Sequence, residues 1–180
     1  MSKHFIILGL PRSMTAWTSC FLTCGDVFCL HEHTGAKETA EAIRFSKYSY
    51  TGICCPASLV EWEELVRLLP DAKTVFIHRP IGESRASLAK VAEVPESLMA
   101  DGYSVLATKI QGFIQYCEPN IIDVEELRTP DGARRLWNWV APEANLSELH
   151  LRKMLSLHIE QHPALIRESA HRSYDQILAR

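Results

Sequence analysis

The sequence predicts an α/β fold, a three-layer sandwich. It has a parallel central sheet of about five strands and a helical C-terminal part. Three observations predict it. Short β-rich runs alternate with longer helical patterns from Phe5 to Val124. The runs are continuously apolar, as strands covered on both faces require. After the last run only helical patterns remain.

The strand candidates are Phe5 to Leu8, Val27 to Leu30, Gly52 to Cys55, Thr74 to Ile77 and Ile121 to Val124. Each is short and rich in Val, Ile, Phe or Cys. Helical spacing runs over Ser13 to Cys24, and a weaker, charged helix over Ala36 to Lys47. Ala57 to Leu69 carries apolar residues at helical intervals, with Pro56 near its start and Pro70 past its end. Pro80 opens a helix that reaches Val94, Pro95 stops it, and Glu96 to Tyr116 resumes. The helical tail divides into Asp131 to Val140, Leu146 to His162 and Ala164 to Leu178, with Pro142 and Pro163 at two of the breaks.

A chain of 180 residues suits one domain over 1–180 with a real core. A net charge of −3, with Lys and Arg scattered, gives no basic face for nucleic acid. No apolar run approaches the roughly 20 residues of a membrane span. Met-Ser-Lys-His leads directly into a strand-like run and does not read as a signal peptide, so a cytoplasmic location is expected. The six cysteines form no C-x-x-C pair and read as small buried hydrophobes in a reducing compartment, with Cys20 and Cys24 on the apolar side of the first helix.

Ligands of such sheets bind at the carboxyl ends of the strands. The segments that matter are therefore Pro11 to Trp17, His31 to His33, Pro56 to Ser58 and His78 to Pro80. The first has the layout of an anion loop: strand, short turn, helix. It is not a Walker A loop. Counted from Gly9, the Gly, Lys and Ser/Thr positions carry Met14, Thr15 and Ala16. The fourth strand ends at Arg79, and Ser87 follows eight residues later, about two turns along a helix. Arg with its planar fork and Ser with its hydroxyl can face one anion.

Pro11-Arg12-Ser13-Met14-Thr15-Ala16-Trp17, and Ile77-His78-Arg79-Pro80 through Ser87, together resemble the two donor-binding motifs of sulfotransferases. These enzymes use the sulfate donor PAPS (3′-phosphoadenylyl sulfate) and release PAP. The resemblance covers the chain through about Leu88, and it departs from the family at two points. Met14 stands where the family has Gly, and Ala16 where it has a second Thr. It implies that the sandwich is of the P-loop nucleotide-binding type, and it implies sulfuryl transfer to a hydroxyl acceptor, on a small molecule, a glycan or a peptide. By the same resemblance Arg12 would hold the 5′-sulfate and phosphate. Ser13, Met14, Thr15, Ala16 and Trp17 would line the donor, with Trp17 beside the adenine. Arg79 and Ser87 would take the 3′-phosphate. Two other readings remain: a nucleotide-binding fold without catalysis, and a kinase-like phosphotransferase, which here lacks a Walker Lys.

Cys29-Leu30-His31-Glu32-His33 follows the second strand, where an acceptor hydroxyl would meet the donor. Glu32, His31 or His33 could take the acceptor proton. The resemblance favours Glu32, with His33 as a further catalytic candidate. His31 and His33 also form an H-x-H pair, but no second cluster accompanies it and no metal is expected.

Trp17 has a second reading as a core anchor of the first helix. Trp62, Trp137 and Trp139 read as helix-packing residues, and His150, His158, His162 and His171 as solvent-facing. His78 reads as a strand end. Asp123, Glu125 and Glu126 read as charges at a helix N-terminus. Lys37, Lys47 and Lys109 could reach an anionic acceptor.

Overall fold

Strand β1 (His4–Gly9) carries the unbroken apolar run, and Phe5, Ile6, Ile7 and Leu8 are all fully buried. Successive side chains point to opposite faces, so such a run needs cover on both. Phe5 and Ile7 join one core, Ile6 and Leu8 the other. Each such side chain stabilises the fold by about 1.5–3 kcal/mol relative to leaving it in water.

The structure is a computed structural model and describes residues 3–31, 35–93 and 95–157. The remaining strands are β2 (Val27–Leu30), β3 (Tyr50–Cys54), β4 (Lys73–His78) and β5 (Asn120–Asp123). All pair in parallel, in the order β2-β3-β1-β4-β5. The expected α/β sandwich with a five-stranded parallel sheet is the fold observed.

The first core lies under α1 (Thr15–Phe21), α6 (Val124–Leu127), α7 (Pro130–Val140) and α8 (Glu148–Ser156). The second lies under α2 (Ala36–Arg44), α3 (Trp62–Leu68), α4 (Ile81–Ala92) and α5 (Ala100–Cys117). The chain therefore leaves β1 toward one face and its neighbour β4 toward the other. Between their carboxyl ends this opens the crevice in which such sheets bind ligands. The sheet is drawn tight at Gly52, where a Cβ would fall 2.2 Å from the Phe5 carbonyl oxygen.

Several boundaries differ from the sequence expectation. Helix α1 stops at Phe21, because the chain turns through Gly25 (φ 59°) and a Cys24–Val27 bridge to enter β2. Cys20 is consequently exposed and Cys24 half-buried, whereas Cys29, Cys54 and Cys55 are buried as expected. Pro56–Leu59 and Glu96–Met99 are single 3-10 turns leading into α3 and α5. Helices α7 and α8 begin at side-chain caps: Thr129 accepts from the Gly132 N–H and Ser147 from the His150 N–H. The expected helix over Ala164 to Leu178, with His158, His162 and His171, lies outside the described residues. Among the described residues no helix is long and apolar enough to cross a membrane.

Candidate functional site

The loop after β1 begins where two strands touch. Gly9 closes β1, and a Cβ there would stand 3.2 Å from the Ile77 carbonyl oxygen on β4. Ser13 N–H donates back to Leu10 O at 3.2 Å, which folds the chain over the strand end. Arg12 and Met14 take left-handed conformations, with φ of 66° and 58°. For residues other than glycine this costs about 1–2 kcal/mol each. Met14 keeps the positive φ that a glycine would adopt freely.

The contacts that hold this shape come from the segment after β4. The Arg79 guanidinium donates through Nη1 to the Arg12 carbonyl oxygen. Ser84 Oγ donates to the Pro11 carbonyl oxygen at 2.5 Å. Arg12 Nε donates to Ser87 Oγ at 3.3 Å. The two sequence motifs thus meet, with Arg12, Arg79 and Ser87 in one crevice. Arg79 and Ser87 touch the loop itself.

Two polar atoms here are buried without a hydrogen-bond partner among the described residues, Ser13 Oγ and Arg79 Nε. Glu83 lies 3.8 Å from Arg79 Nε, within reach of its charge but beyond a hydrogen bond. Thr15 is buried and Ala16 half-buried at the start of α1. Thr18 Oγ1, one turn on, is likewise buried and unpartnered.

Of the two readings of Trp17, the core packing is the one that is visible. Its ring is 4% exposed and stacks on Phe21 at 5.0 Å, and its indole N–H donates to Met154 O at 2.8 Å. It is the core anchor of α1, because helical spacing from Met14 turns it toward the sheet and α8.

Two strands away from β1 in the sheet, His31 lies just beyond β2, its Nδ1 2.8 Å from Cys54 O. A carbonyl can only accept, so Nδ1 donates in this contact. The other two base candidates, Glu32 and His33, lie outside the described residues.

Three residues belong to this edge that the sequence did not single out for it. Ser84 is fully buried, and its Oγ is also 2.8 Å from Tyr103 Oη. A signal existed for Ser84, since it precedes Ser87 by three residues and shares its helix face. Tyr103, on α5, carried none. Burial pushes its phenol up, partly offset by the positive charges of Arg79 and Arg85. Asp123 sits at the α6 N-cap without capping it. Its carboxylate instead lies 2.5 Å from His78 Nδ1, across the β4–β5 register. Both partners are about half-exposed, so this pair contributes about 0–1 kcal/mol.

Other expectations resolve away from the crevice. Trp62 and Trp137 are buried, but Trp139 is 44% exposed under Lys73. His150 is not solvent-facing: its ring stacks on Phe21 and its Nε2 meets Phe21 O at 2.8 Å, because α8 packs on α1. Lys109 pairs with Glu63, and Lys47 lies over Tyr48. An open cavity of about 280 Å³, lined by His4, Arg44 and Asp71 among others, lies at the opposite, amino edge of the sheet. Against the models of known protein families, curated proteins and solved structures, the chain has no match.

Proposed function

We propose that this protein is a PAPS-dependent sulfotransferase acting on a hydroxyl acceptor. One observation carries the reading: Arg12, Arg79 and Ser87 meet at the β1–β4 switch point through the hydrogen bonds from Arg79 to Arg12 O and from Arg12 to Ser87. Two guanidinium groups, one hydroxyl and the unpartnered Ser13 Oγ at one sheet edge fit a ligand with several anionic oxygens.

When bound, the donor supplies a sulfuryl group whose transfer leaves a phosphate oxygen bearing negative charge. Arg12 keeps its terminal N–H fork for that oxygen while its Nε rests on Ser87, so it needs little rearrangement as charge develops. Arg79 fixes the loop through Arg12 O and adds a second positive charge. As the acceptor oxygen bonds to sulfur and the sulfur–phosphate oxygen bond breaks, the acceptor proton goes to a base after β2. Glu32 is the first choice, with His33 and His31 as the alternatives.

Calorimetry with PAP against ATP–Mg²⁺ tests the binding half. PAP is expected to bind, and Arg79→Ala to weaken it by tenfold to a hundredfold. Tighter binding of ATP–Mg²⁺ than of PAP would sink the reading in favour of a phosphotransferase. Incubation with labelled PAPS and a panel of hydroxyl acceptors tests the chemistry. Transfer abolished by Glu32→Ala supports it; PAP binding without any transfer marks a nucleotide-binding fold without catalysis.

A further inference from the structure

We infer that Ser84 and Tyr103 form a buried positioning relay that sets the anion loop from beneath; the inference rests on the nucleotide reading of that loop. Ser84 Oγ has one proton and lies 2.5 Å from the Pro11 carbonyl oxygen, which can only accept. Its proton is therefore committed to Pro11. The other contact of Ser84, 2.8 Å to Tyr103 Oη, must then be donated by the phenol. The order of donation is fixed as Tyr103 to Ser84 to Pro11.

The chain of bonds runs from α5 through α4 into the loop. It ends on the residue before Arg12, the first of the two residues held at positive φ. Strained backbone of this kind persists only where surrounding contacts over-determine it. Arg79 holds the next carbonyl along, that of Arg12. Consecutive loop carbonyls are thus drawn toward α4, so Arg12 and the Ser13 N–H hold one arrangement before any ligand arrives. Neither Ser84 nor Tyr103 needs to touch the ligand. Ser84 is fully buried and Tyr103 is 4% exposed.

Ser84→Ala removes both bonds; Tyr103→Phe removes only the donor behind Ser84. The double variant leaves no orphaned phenol, so its thermal midpoint should recover relative to Ser84→Ala. If the pair positions the loop, PAP and inorganic sulfate affinity will not recover with it. Calorimetry should show about a tenfold loss for Ser84→Ala and for the double variant, and about threefold for Tyr103→Phe. In the ligand-free protein, Ser13 amide exchange should speed up at least about tenfold in Ser84→Ala, with α7 amides unchanged. Should Ser84→Ala fail to fold, Tyr103→Phe carries the same two readouts at smaller size. Unchanged Ser13 exchange, or affinities that follow the thermal midpoint back up, overturn the relay. If the wild-type protein binds neither PAP nor sulfate, the nucleotide reading fails. Ser13 exchange then decides the relay alone, faster exchange upholding it and unchanged exchange overturning it.

Discussion

Arg12 and Trp17 stand five residues apart in one motif and live in opposite environments. Arg12 sits in a left-handed turn, half-buried, held by Ser87 of α4 and by Arg79 just before it. Trp17 sits in a regular helix, nearly fully buried, between Phe21 and α8. The loop spends stability on strain and on unpaired polar atoms; the helix returns it through aromatic packing. A motif that reads as one unit is therefore two, with the boundary at Thr15. Only the first half carries the left-handed residues and the contacts from Arg79, Ser84 and Ser87.

Substitutions on either side of that boundary should separate folding from binding. The largest effect is expected at Trp17→Ala, which empties a core site and should cost about 3–5 kcal/mol in denaturant unfolding. An unfolding loss under about 1 kcal/mol would mean that Trp17 is not the core anchor of α1. Arg12→Gly should do the reverse. It relieves a left-handed residue and loses one long, part-buried hydrogen bond, so stability should move by no more than about 1 kcal/mol. Its PAP affinity should fall about a hundredfold, which equals about 2.7 kcal/mol. Retained affinity would remove Arg12 from the site.

Ser13 and Thr18, whose buried hydroxyls have no partner among the described residues, give a finer division. Thr18→Val should stabilise by about 1 kcal/mol and leave PAP binding alone, because its hydroxyl serves nothing in the helix. Ser13→Ala should also stabilise slightly while weakening PAP severalfold. If both variants bind PAP like the wild type, the boundary of the site lies before Ser13.

The smallest effect is a pH dependence confined to the core side. Burial pushes the Cys29 and Cys54 thiols well above their ordinary value of 9.0. The folded state keeps these protons after the unfolded chain has begun to lose them, so stability falls as pH rises past about 9. Between pH 9 and 9.5 the loss should stay under about 1 kcal/mol per thiol. Urea unfolding under reducing conditions should show it, and Cys54→Ala should remove its own share. A flat profile would mean that these thiols are not buried in the folded state.

Much of the scaffold was legible because its signals are local. Runs such as Phe5 to Leu8 and Thr74 to Ile77 announce strands covered on both faces, and Pro56, Pro80 and Pro95 punctuate the helices. The crevice edge followed from the strand ends. Helix endings were less legible, since α1 ends where a turn is needed to start β2, not where its apolar pattern stops. Within the site, Arg12, Arg79 and Ser87 came from motif spacing. Tyr103 and the His78–Asp123 pair did not, because sheet register and α5 packing bring them in from distant segments.

By itself the sequence determined the order of strands and helices along the chain, the two-faced burial of β1 and three residues of the sheet's carboxyl edge, Arg12, Arg79 and Ser87. Side-chain period, proline and glycine act over a few residues and need no partner to be read. Tertiary structure alone decided that Ser84 grips Pro11, that Arg79 grips Arg12, and that Trp17 turns to Met154. Those choices join residues 67 to 137 positions apart. They depend on which helix packs over which strand end, and no local pattern records that.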